Sequence, residues 1–135
     1  MTGRGEASGV FAALRELARE APVAVRVRGG CMAPLLADGQ PVQVAAVRFY
    51  WPGDVVVFRA ADGRLLAHRV LGYRPWGGVL CLVTRGDACA VHDAPVPFSR
   101  VLGRVAAAPP GLAGRAAALG RFLGLALSRL RRRGA

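Results

Sequence analysis

Residues 52–70 read Pro52-Gly53-Asp54-Val55-Val56-Val57-Phe58-Arg59-Ala60-Ala61-Asp62-Gly63-Arg64-Leu65-Leu66-Ala67-His68-Arg69-Val70. The Pro-Gly-Asp triplet is a turn. The apolar run after it, 55–58, is typical of a strand buried on both faces. Asp62-Gly63 is a strong hairpin signal, so the chain returns as a second strand over 64–71. On a period of two, His68 shares a face with Leu66 and Val70, and Arg69 points the other way.

Working outward, further strands are expected over 23–28, 41–47, 79–84 and 101–106, the last broken by Gly103 as at a bulge. Turn signals stand at Asp38-Gly39 and Gly86-Asp87, and loops over 74–78 and through His92, Asp93 and Pro95. About six short strands with turns every 8–12 residues predict a mainly β fold, a β barrel or folded sheet. The 18 Gly and 9 Pro suit strands and turns better than a helical bundle. Before the first strand, Ser8 can cap a helix running to Glu20, with Val10, Ala13, Leu14, Leu17 and Ala18 on one stripe. Pro22 stops it. Pro109-Pro110-Gly111 marks a boundary, after which Leu119, Phe122, Leu123, Ala126 and Leu130 form a helical apolar stripe. That helix ends in Arg131, Arg132 and Arg133, which suits the negative pole of its dipole. The expected organisation is a helical segment over 1–22, a β domain over 23–108 and a basic amphipathic helix over 109–135.

At 135 residues the chain is one domain, and with 53% apolar residues it is globular. Net charge is +11, and all 19 positive side chains are Arg. A lysine base is therefore excluded. Such charge permits binding to an anionic membrane surface, an acidic partner or nucleic acid. No helix-turn-helix pattern, basic aromatic strand or zinc finger supports specific nucleic-acid binding. The first eight residues lack the apolar core of a signal peptide, and no transmembrane run is present. A cytoplasmic protein is expected, with peripheral membrane attachment left open. The C-terminal helix either closes the domain or docks on anionic lipid or a partner protein.

The chemistry-bearing stretch is Gly29-Gly30-Cys31-Met32-Ala33-Pro34-Leu35-Leu36. Two glycines free the backbone to turn, and Pro34 holds the turn open. A thiol there is exposed, aimed and close to backbone N–H groups, as attack on a carbonyl and stabilisation of an oxyanion require. The alternative is a buried structural cysteine in a tight loop. His68 on its strand and the acidic pair Asp87 and Asp93 in one loop complete the parts of a nucleophile–base–orienter triad. Cys31, Cys81 and Cys89 are odd in number with no framework spacing, so a disulfide scaffold is not expected. Cys89-x-x-His92 has no second paired motif, and no metal or cofactor is expected.

The boxes GGCMAPLL, GDVVVF, LAHRVLGY, LVTRGDACAVHD and VLGRV, in this order over about 25–105, resemble the catalytic core of the signal peptidase I family and its LexA-like relatives. The family pattern is Gly-x-Ser-Met-x-Pro-x-Leu, a Gly-Asp-Val-Val-Val-Phe strand, a base-bearing strand and a Thr-Lys-Gly-Asp strand end. His68-Arg69-Val70 matches the archaeal and endoplasmic-reticulum branch, whose base is His. That branch carries an acid six positions beyond the Gly-Asp aspartate, where this chain has Asp93. The resemblance implies Cys31 as nucleophile, His68 as base and Asp93 as orienter. Asp87 is then a support or the alternative acid, and Gly29, Gly30, Met32 and Pro34 shape the oxyanion turn. It also implies the family's complex β barrel and a peptidase that cleaves an extended peptide, a leader or its own terminus, added as a strand beside the site. The chain departs from the pattern at Cys31 for Ser, Gly29 for a bacterial hydroxyl and Gln40 for Asp, and in lacking the N-terminal anchor. The competing expectation is an inactive peptide-binding module of the same fold.

Overall fold

The computed structural model describes residues 3–29, 32, 39–106 and 112–133, with side chains omitted for 3–8 and 112–114. The elements in order are α1 (Gly3–Glu20), β1 (Val23–Arg26), β2 (Pro41–Ala45), β3 (Val55–Arg59), β4 (Leu65–Trp76), β5 (Val79–Arg85), β6 (Val96–Pro97), β7 (Val101–Val105) and α2 (Leu112–Arg133). A single 3-10 turn, Phe98–Arg100, joins β6 to β7. The fold is mainly β: one antiparallel sheet in the order β1-β2-β7-β3-β4-β5-β6, curled into a half-barrel with a helix at each end of the chain.

The β3–β4 hairpin forms the centre of the sheet, with Val56 opposite His68 and Phe58 opposite Leu66. Val56 and Val57 are both fully buried, so β3 is covered on both faces, as its unbroken apolar run requires. On one face Val55, Val57, Ala67 and Leu102 pack with Phe11 and Ala18 of α1 and with Met32. On the other, Val56, Phe58, Val70 and Leu82 pack with Tyr50, Val96 and Val101. Each of the Val, Leu, Phe and Met side chains contributes about 1.5–3 kcal/mol by leaving water.

Two irregularities bend the sheet. Between β3 and β7 the register shifts as Val57 pairs with Gly103 and Phe58 with Val101, the bulge anticipated at Gly103. A Cβ on Gly103 would lie 2.5 Å from the Ala45 carbonyl oxygen, so glycine lets the backbones close in. Between β4 and β5 the shift falls between Val70 and Gly72. There a Cβ on Gly72 would lie 2.8 Å from the Phe122 ring of α2.

Several boundaries differ from the sequence expectations. The loop expected over 74–78 is instead strand: β4 runs on to Trp76, with Pro75 opposite Leu80. Gly77 and Gly78, at φ 59° and 80°, make a two-residue turn of the type that matches strand twist. β6 is an additional short edge strand. Helix α1 starts at Gly3, so Ser8 falls inside it. Its docking line is Phe11, Leu14 and Ala18, while Val10 and Leu17 are exposed. The bulk of Phe11, under the Arg59 guanidinium at 4.8 Å, sets that rotation.

The C-terminal stripe needs a similar correction. α2 docks through Ala118, Phe122 and Leu125 over Leu71 and Val83. Leu119, Leu123, Ala126 and Leu130 are exposed. The line 118–122–125 places a small residue and a ring over the Gly72 gap, and the leucine line lies about 100° further round the helix. Arg115 fixes the helix from its first turns, donating to Asp54 Oδ1 at 3.0 Å. Asp54 is buried and also accepts from the Trp51 N–H at 2.9 Å. No helix among the described residues is long and apolar enough to cross a membrane. The 109–111 boundary lies outside the described residues.

Candidate active site

His68 enters the site from the middle of β4, on the face it shares with Val70 and Val56. It is 4% exposed, and the Phe58 ring meets its imidazole edge-on at 5.6 Å. A histidine so deep among valines needs a polar partner. That partner is Asp93, whose Oδ2 is hydrogen-bonded to His68 Nδ1.

Asp93 reaches His68 because its loop folds back on the strand it has just left. The Asp93 N–H donates to the Thr84 carbonyl at 2.8 Å, and the Thr84 hydroxyl donates to Asp93 Oδ2 at 2.7 Å. Thr84 stands opposite Val70 in the β4–β5 register, on the same face as His68, and is fully buried. One residue therefore fixes both the backbone and the carboxylate of Asp93. With Asp93 as acceptor, the neutral imidazole carries its proton on Nδ1, and Nε2 becomes the basic nitrogen.

The other acid of this loop has a different partner. Asp87 accepts two parallel hydrogen bonds from Arg69, from Nε at 2.8 Å and Nη2 at 2.7 Å. The third donor in use, Arg69 Nη1, reaches the Gly53 carbonyl at 2.8 Å. The hydrogen bond to Asp87 holds the Arg69 guanidinium above its ordinary value, against the opposing effect of its burial. Arg69 thus ties the turn before β3 to the loop after β5.

Of the nucleophile turn, Gly29 and Met32 are described, and Gly30, Cys31 and Pro34 lie outside the described residues. Gly29 has φ +87°, a conformation that favours glycine. Met32 is 2% exposed in the α1-side core, and its sulfur accepts the Asp87 N–H at 3.4 Å. The residue after Cys31 is thereby held against the loop that also carries Asp93.

The structure brings His68 and Asp93 together and keeps Asp87 with Arg69. Sequence reasoning had no role for Thr84 or for the Arg69–Asp87 fork. A signal for Thr84 existed in the period-two pattern, which sets it on one face with Leu82 and opens the strand end that bears both acids. Cys81 is buried in β5, its sulfur near the Trp76 and Val79 carbonyls. His92, the neighbour of Asp93, faces α2, where Arg129 donates to its Nε2 at 3.1 Å. Among the described residues, no three His, Cys, Asp or Glu side chains are grouped as metal ligands would be.

Comparison of the sequence with protein-family models found no match, and comparison with curated proteins found no significant match.

Proposed function

We propose that this chain is a peptidase of the signal-peptidase and LexA-like kind, with Cys31 as nucleophile, His68 as base and Asp93 as orienter. The observation that carries the reading is the pairing of buried His68 with half-buried Asp93, with Thr84 as second donor to the same carboxylate oxygen. A histidine needed only for packing would not require two groups to set its tautomer.

His68 Nε2 takes the Cys31 proton, and the sulfur attacks the peptide carbonyl. The oxyanion formed is held by N–H groups of the glycine turn. The imidazolium returns the proton to the leaving amine as the C–N bond breaks, leaving a thioester. Water, deprotonated by the same imidazole, then releases the new carboxylate and restores the thiol. Among the described residues β1 is paired only on its β2 side, which gives an extended substrate an edge to join. β1 ends at Arg26, three residues before Gly29, so a strand laid there runs beside the chain that leads to Gly29.

The test is labelling with iodoacetamide followed by mass spectrometry, beside cleavage of an extended peptide library. Cys31 activated by His68 labels at pH 6–7 well below the pKa of about 8.5 of an ordinary thiol. Cys31→Ala abolishes cleavage without loss of the fold, and Cys31→Ser keeps part of it. An ordinary alkylation profile at Cys31 with no turnover of any peptide would instead make the domain a peptide-binding module.

A further inference from the structure

Beneath the C-terminal half of α2 lies a cavity of about 350 Å³, and His68, Thr84 and Asp93 are not among its lining residues. Tyr73, Val83, Phe122 and Leu125 form its apolar floor, and Arg74, Arg129 and Arg133 stand around it. Its volume is at the lower end of the roughly 300–1,000 Å³ of small-molecule sites. Three guanidinium groups converge here, and among the described residues none of them has a carboxylate within salt-bridge distance. Arg74 lies 4.7 Å over the Trp76 ring, and Arg129 donates to His92. Arg129 is held below the ordinary arginine value, first by desolvation and then by the charges of Arg74, Arg132 and Arg133. The helix C-terminus adds partial negative charge on the axis, but the cavity is walled by side chains and open at its rim.

We infer that this cavity binds an anionic amphiphile, its carboxylate or phosphate head among Arg74, Arg129 and Arg133 and one apolar chain against Phe122 and Leu125. An inorganic anion would leave the apolar floor unused, and a neutral chain would leave the three charges uncompensated. The site does not depend on the peptidase reading, since none of its residues belongs to the Cys31–His68–Asp93 set.

Titration calorimetry of the full chain with decanoate and with decyl phosphate, each below its micelle threshold, tests this. Saturable one-to-one binding of both is expected, with none for decyltrimethylammonium, the charge-reversed control. Arg129→Gln should weaken binding roughly tenfold, as loss of one charge-assisted contact does. Ala126→Trp, which fills the cavity from an exposed helix position, should abolish it, with thermal melts showing both variants folded. Should Ala126→Trp not fold, Arg133→Gln, expected to weaken binding, takes its place. Absence of saturable binding, equal affinity for the cationic analogue, or wild-type affinity in the variants would overturn the proposal. Sedimentation with phosphatidylglycerol vesicles separates the sources. Vesicle binding displaced by decanoate identifies a membrane lipid, and monomer binding without sedimentation identifies a free amphiphile. Sedimentation without monomer binding would assign the interaction to the exposed leucine face and overturn the cavity site.

Discussion

Two aspartates of one loop, Asp87 and Asp93, meet two neighbouring residues of one strand, Arg69 and His68, on its opposite faces. The pairs look alike, a carboxylate on a cationic or potentially cationic nitrogen, and their chemistry differs because the partners differ. Arg69 never gives up its proton in any accessible pH range, so its pair with Asp87 can only hold loops together. An imidazole changes protonation near neutrality, so its pair with Asp93 can move a proton. What a carboxylate does here is set by the residue it faces, and the two-residue alternation of β4 is what deals the acids to different partners.

The sharpest way to break this comparison is Asp93→Asn. The amide retains the size of the side chain but no longer fixes the Nδ1–H tautomer. By analogy with the serine-protease triad, cleavage and thiol activation at neutral pH should fall by about 10⁴-fold. Circular dichroism should show an unchanged fold. If Asp93→Asn cleaves at the wild-type rate, Asp93 is no orienter and the contrast between the two acids fails.

Asp87→Asn should do the reverse. The Arg69 side chain is 18% exposed and would lose its charged partner, so stability should drop by about 2 kcal/mol, seen as a lower midpoint in urea. The intrinsic rate of Cys31 alkylation in the folded protein should change little. Because the Asp87 hydrogen bond raises the Arg69 value, Arg69's share is fully present below the unfolded arginine value. It would be lost only as pH rises through the still higher folded value. The difference in urea midpoint between wild type and Asp87→Asn should therefore be flat from pH 6 to 9. A sloping difference would show that another titrating group shares the fork.

Much of this was legible in the sequence. Pro-Gly-Asp, the valine run and Asp62-Gly63 announce the central hairpin because turn chemistry and burial are local properties. His68 could be assigned to a face by counting in twos. The rotation of the two helices could not, since both α1 and α2 offer more than one apolar line. The choice falls to shape: Phe11 in one case, and Phe122 against the bare backbone of Gly72 in the other. The extension of β4 through Pro75 was hidden because Gly77-Gly78 reads as loop until its pairing partner, Leu80 opposite Pro75, is known. The six-residue spacing to Asp93 came from the family resemblance, not from any rule of local structure. Thr84 could be placed on its face by the same counting, but a β-branched residue at the end of a strand carries no mark of the role it plays.

Thr84→Val is the finest cut through the comparison. Valine is nearly the same shape, so β5 and its pairing with Val70 remain, and the Asp93 N–H keeps its bond to the residue 84 carbonyl. Only the hydroxyl's hydrogen bond to Asp93 Oδ2 is lost. That oxygen still accepts from His68, so it is not stranded, and the stability cost should be about 1 kcal/mol or less. The functional effect is more specific. With one donor gone, the carboxylate can rotate about its last bond, and the imidazole it orients is held less firmly. Cleavage should fall roughly tenfold, the low end of what loss of an outer positioning group costs. The pH dependence of alkylation should shift in the double variant Asp93→Asn, Thr84→Val no further than in Asp93→Asn alone, because the hydroxyl acts only through that carboxylate. An additive double variant would mean that Thr84 acts on the site by another route, and that the tautomer is set by His68's partner alone.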